Sequence, residues 1–118
     1  MPKVFPIQET KFPIQSAREF GDIQPAIFTD LVYPTGKAAG PQAADLIQRK
    51  LGLMGDLMTR IHSEFKKDDY LLIVGDPIFI GLAMSVVRDV LLDAEEPTMN
   101  VLRYDKALGR YLDIEVEV

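Results

Sequence analysis

Three groups of residues have types and spacings that could do chemistry: the turn Gly75-Asp76-Pro77, the pair Tyr104-Asp105, and the alternating carboxylates Asp113, Glu115 and Glu117. The turn lies within YLLIVGDPIFIG (residues 70–81), between two apolar runs. Aspartate at an N-cap followed by proline at the first helical position starts a helix. A strand's carboxyl end meeting a helix N-terminus is also where open α/β sheets hold anionic ligands. The Asp76 carboxylate, however, would occupy the free N–H groups and repel a phosphate. Neither G-x-G-x-x-G nor G-x-x-x-x-G-K-S/T occurs in the chain. The turn is therefore read as a cap, and the alternative is a ligand site using Gly75-Asp76-Pro77 with Asp105 as a second carboxylate.

Other catalytic schemes lack their parts. Cysteine is absent, which removes thiol chemistry, thiolate zinc sites and disulfides. His62 is the only histidine, set among Arg60, Ser63 and Glu64 on the polar side of its helix, and reads as a solvated side chain. Triad and zinc-protease schemes need partners that this sequence does not supply. No cofactor or metal is expected. Asp113, Glu115 and Glu117 stand on one strand face at intervals of about 6.6 Å, a row that either blunts an exposed edge or collects a cation or a basic partner.

The elements that must position these residues follow from hydrophobic pattern. Leu71, Leu72, Ile73 and Val74 in succession read as a strand (Tyr70–Val74) covered on both sides. The helix predicted over Pro77–Asp93 is apolar almost all round, with Ser85, Arg88 and Asp89 as its polar strip, and must be central or bury a face against a second subunit. Ala44, Ile47, Leu51, Met54, Met58, Ile61 and Phe65 recur at steps of three and four, the apolar seam of a helix over 41–66, with Gly52 and Gly55 inside it. Met99–Tyr104 and Arg110–Val118 form a hairpin. In its second strand Leu112, Ile114, Val116 and Val118 should face the core, and Tyr111, Asp113, Glu115 and Glu117 water or a partner.

Residues 1–40 carry prolines at 2, 6, 13, 25 and 34, with another at 41, so only short edge strands and loops are expected there. Ser16 and Glu19 match a capping box for one helical turn at 16–21, stopped by Gly21. The segment 22–33 fits either a strand or a short helix. FPIQ occurs at residues 5–8 and 12–15, a coincidence far below the period of a structural repeat.

Net charge is −5, unevenly spread: residues 1–67 hold nine Lys or Arg against seven Asp or Glu, and residues 68–118 hold four against eleven. Without a basic patch, direct nucleic-acid binding is not expected, and a basic protein partner fits the acidic half better. No apolar stretch reaches the roughly 18 residues of a membrane span, and the N-terminus has no secretory pattern, so a cytoplasmic protein without membrane contact is expected.

The pairing of DDYLLIVGDPIFIGLA (68–83) with VLRYDKALGRYLDIEVEV (101–118) resembles a pattern in small uncharacterised proteins of tailed phages. The matching positions are Asp69, Tyr70, Gly75, Asp76, Pro77, Tyr104, Asp105 and Tyr111, with Tyr104 where those proteins usually have tryptophan. The resemblance covers the last 50 or so residues and implies a viral origin and a small accessory role; for a phage-encoded chain the expected cytoplasm is the host's. The combined expectation is a single α/β (or α+β) domain over 1–118, a mixed sheet with two main helices and a C-terminal β-hairpin. Its role would be a non-enzymatic, homo-oligomeric interaction factor for a host or viral protein. The alternative is a small-molecule or nucleotide-binding enzyme at Gly75-Asp76-Pro77.

Overall fold

Leu71 and Leu72 point to opposite faces of one strand and both are buried, which requires cover on both sides. In the computed structural model, which describes residues 1–10, 13–28, 48 and 55–118, their strand is the middle one of five. The strands are β1 (Lys3–Pro6), β2 (Asp22–Ile23), β3 (Tyr70–Leu72), β4 (Thr98–Asp105) and β5 (Arg110–Glu117), ordered β2-β1-β3-β4-β5. The first four run parallel and β5 pairs antiparallel with β4, so the sheet is mixed, as its sequence pattern predicts. Helices α1 (Gly55–Glu64) and α2 (Pro77–Asp93) complete a single α/β domain, together with a 3₁₀ helix at Ile14–Glu19. The seam residues from Ala44 to Met54, and Gly52 with them, lie outside the described residues.

The helices cover one face. Ile61 and Phe65 from the α1 side and Phe79, Ala83, Val87 and Leu91 of α2 pack with Phe5, Leu71, Met99 and Val101 of the sheet. Phe5 meets Phe65 at 5.6 Å and Phe28 meets Phe79 at 4.8 Å between ring centroids, tilted pairs that each add about 0.5–1.5 kcal/mol beyond burial. Of the two expected placements, α2 does not take the central one: it turns Phe79, Ala83, Val87 and Leu91 inward and leaves Ile78, Leu82 and Leu92 exposed with Ser85 and Asp89.

On the opposite face Val4, Leu72, Leu102 and Tyr111 form a second core beneath the 3₁₀ helix, which contributes Ala17. This corrects the reading of β5 in part, since Val116 and, just beyond the strand, Val118 do pack against the helix-covered core. Tyr111 is buried, while Ile114, on the supposed core side, is exposed. The capping box does not form either: the helix begins at Ile14, and the Ser16 hydroxyl donates back to the Pro13 carbonyl at 2.9 Å. Gly21 is required by proximity, since a Cβ there would collide with the Pro2 carbonyl.

The largest departure is β1, which is interior, between β2 and β3, although Pro2 precedes it and Pro6 ends it. Geometry explains the tolerance. The carbonyls of Pro2, Val4 and Pro6 accept from Asp22, Gln24 and Ile27 N–H on the β2 side, at 2.9, 2.8 and 2.8 Å. The N–H groups of Lys3 and Ile7 instead face β3, where they meet Asp69 and the Leu72 carbonyl. The prolines thus lack donors only toward the two-residue strand β2, and the β3 side keeps its own.

Candidate functional site

The strand order reverses direction between β1 and β3, and in doubly wound sheets of order 2-1-3-4-5 the crevice beyond such carboxyl ends receives ligands. Here Gln8 follows β1 and Gly75-Asp76-Pro77 follows β3. Gly75 adopts φ +114°, a conformation nearly confined to glycine, and a Cβ on it would overlap the Gln8 carboxamide. The Asp76 N–H donates to Gln8 Oε1 at 2.6 Å, and the Ile78 N–H donates to Asp76 Oδ1 at 2.9 Å. With Pro77 at the first helical position, Asp76 is the N-cap of α2. Two donors that an anion would seek at this helix end are therefore taken by the protein itself.

Beside the turn is a cavity of about 240 Å³ lined by residues 72–75, Ile80, Arg103, Tyr104 and Tyr111. It contains Gly75 and Tyr104, but neither Asp76 nor Asp105 lines it. Asp105 serves the hairpin: its Oδ1 accepts from the Leu108 N–H at 3.0 Å and its carbonyl from the Gly109 N–H at 2.8 Å. Tyr104 and Tyr111 sit directly opposite across β4 and β5, edge to face at 5.1 Å. The Tyr111 hydroxyl is buried without a hydrogen-bond partner among the described residues. Burial, and then neighbouring Tyr104, push its phenol above the usual tyrosine range.

Asp113, Glu115 and Glu117 do share a face, the Tyr111 side of β5, opposite Leu102, Asn100 and Thr98. All three are exposed, lying beyond the cover of the 3₁₀ helix, and none pairs with a described cation. Tyr70 of β3 belongs to the same face. Burial, then Asp113, Asp68 and Glu115, raise its phenol above the ordinary value, the electrostatic mark of carboxylates converging on this end of the sheet. His62 is exposed in the last turn of α1. No group of three or more His, Asp or Glu side chains among the described residues is placed to hold a metal ion, and no described helix is long and apolar enough to cross a membrane.

Sequence reasoning does not reveal the structural roles of two polar residues, Gln8 and Asp69, the second of which enters only as a position of the resemblance. Gln8, buried, holds the helix start. Asp69, buried at 4 % exposure, accepts from the Lys3 N–H at 2.8 Å through Oδ1 and from the Lys66 N–H at 2.9 Å through Oδ2, tying the start of β1 to the turn before β3. Each bond to Gln8 or Lys3 spans more than 60 positions, beyond the reach of any local motif.

Neither the curated proteins nor the solved structures contain a match to this chain. Residues 2–118 match the family model described as Phage Pam3 gp32-like protein, a coverage that takes in the N-terminal strands as well as the turn and the hairpin, and the chain belongs to that phage protein family.

Proposed function

We propose that this phage-family protein is a non-enzymatic interaction factor whose binding surface is the acidic end of the sheet, and that its partner is a basic protein segment. One observation carries the reading: Asp113, Glu115 and Glu117 project together from an uncovered sheet face, with no described cation paired to any of them. A row of three like charges on adjacent same-face positions costs stability unless something neutralises it, and a lysine- or arginine-rich partner would do so while being steered by the field.

The enzymatic alternative is less well supported. The Asp76 and Ile78 N–H groups are occupied by Gln8 and Asp76, and the Asp105 carboxylate is engaged in its own turn. The test is fluorescence anisotropy with a labelled lysine-rich peptide against a glutamate-rich one, on the wild type and on an Asp113→Asn/Glu115→Gln/Glu117→Gln variant. Selective binding of the lysine peptide, weakened at least tenfold in the variant and by added salt, supports the reading. No binding of the lysine peptide overturns it. So does a specific thermal shift with a nucleotide or divalent cation, since a ligand at 100 times its dissociation constant stabilises by about 2.7 kcal/mol.

A further inference from the structure

The backbone of β5 shares the geometry of its carboxylates. The Val118 N–H donates to the Pro97 carbonyl at 3.0 Å, and the Ile73 N–H to the Leu102 carbonyl at 2.9 Å. With the register Leu102↔Asp113, these two bonds fix the alternation. Leu112, Ile114 and Val116 direct their peptide groups at β4, and Tyr111, Asp113, Glu115 and Glu117 direct theirs away from the sheet. No described residue meets these outward groups, since β5 ends the strand order. The three residues with acidic side chains on one face are thus, with Tyr111, the ones whose edge N–H and C=O groups no described residue meets.

We infer that β5 receives an extended basic segment as a sixth strand, with Lys or Arg at every second position facing Asp113, Glu115 and Glu117. This rests on the reading of the acidic face as a binding surface and adds how it binds. Main-chain pairing would supply a sequence-independent share of affinity, and side chains within about 5 Å across the pair would select the charge. Charge complementarity also chooses the occupant. A second copy pairing two-fold through β5 brings like charges together in every central register: centred on Ile114, Asp113 faces Glu115; centred on Asp113 or Glu115, that residue faces itself. The edge disfavours its own copy and matches a lysine-alternating strand.

The test uses the full chain and four peptides: alternating Lys and Val, the same composition with the lysines in one block, and two versions of the alternating peptide N-methylated on alternate residues, one in each phase. The alternating peptide should bind at least tenfold more tightly than the block, and one N-methylated phase should lose at least tenfold. Glu115→Pro, whose missing N–H points outward, should retain the wild-type melting temperature and lose at least tenfold, whereas Glu115→Gln should lose only a few-fold. Equal binding of all the lysine peptides overturns strand addition and leaves the acidic-face reading standing. Should Glu115→Pro unfold, the N-methylated peptides decide alone. Failure of every lysine peptide to bind overturns both. Wild-type dimers that Glu115→Pro dissociates overturn the choice of occupant.

Discussion

Gln8 Oε1 accepts the Asp76 N–H at 2.6 Å, joining the carboxyl ends of β1 and β3 across 68 positions of sequence. One amide thereby occupies a donor that a ligand at this helix end would seek and ties the start of α2 to β1. Asp76→Ala should cost about 0.5–2 kcal/mol, with Asp76→Asn and Asp76→Ser recovering most of it, because a side-chain acceptor for the Ile78 N–H is what the cap needs. Thermal melts of the three variants check this. A stable Asp76→Asn that loses partner binding would assign the carboxylate a role beyond the cap.

Gly75→Ala meets two obstacles, a positive φ and the Gln8 carboxamide. The expected loss is about 2–4 kcal/mol, combining backbone strain with displacement of a buried hydrogen-bonding side chain. In the Gly75→Ala/Gln8→Ala double variant the overlap disappears while the strain persists. Its loss should fall short of the sum of the two single losses, as urea melts of the four proteins would show.

Asp69→Ala removes both acceptors from the Lys3 and Lys66 N–H groups, and should destabilise by about 3 kcal/mol, at the upper end for hydrogen bonds to a charged group. Asp69→Asn keeps one carbonyl oxygen and should recover only part. A loss below 0.5 kcal/mol for Asp69→Ala, on the scale of an ordinary surface substitution, would contradict the tie between β1 and the β3 turn.

Tyr111→Phe should leave stability unchanged or raise it by about 1 kcal/mol, because it removes a buried hydroxyl without a partner. The pH dependence has a definite sign. Tyr70 and Tyr111 both have phenols raised above the usual value of 10.0 in the folded protein, so above that pH the unfolded chain ionises first. Their contribution is complete below the unfolded value and is lost as pH rises through the folded ones. Stability should therefore fall on the alkaline side, less steeply in Tyr111→Phe. Urea melts between pH 8 and about 11 test both statements.

Local chemistry made the central strand, the cap of α2 and the final hairpin legible, because each is written in adjacent residues: consecutive Leu71 and Leu72, Asp-Pro, and an alternating strand behind a turn. What escaped depends on neighbours supplied by distant chain. Whether Pro6 excludes a strand from the sheet interior depends on which side its absent donor faces, and composition cannot report that. Alternation in β5 shows two faces but not that the 3₁₀ helix covers Tyr111 and stops short of Glu115. Ser16 shows the limit of a short motif: the helix starts two residues earlier, at Ile14, so Ser16 lies inside it, donates to the Pro13 carbonyl, and is not the cap the box requires.

The placement of Pro2 and Pro6 gives the sheet a tear line. On the β2 side of β1 the seam has lost the donors of Pro2 and Pro6 and meets a regular strand only at Asp22–Ile23, with irregular bonds from Gln24, Ile27 and Phe28 beyond it, whereas the β3 side retains its donors and is fastened further by Asp69. Under slow thermal opening β2 and the 3₁₀ helix should peel away first, with β1 still attached to β3. Amide hydrogens at Asp22 and Gln24 would then exchange with solvent well before those of Ile7 and Ile73, and the second core, with Tyr111 inside it, would be wetted while the helix-covered face stays dry.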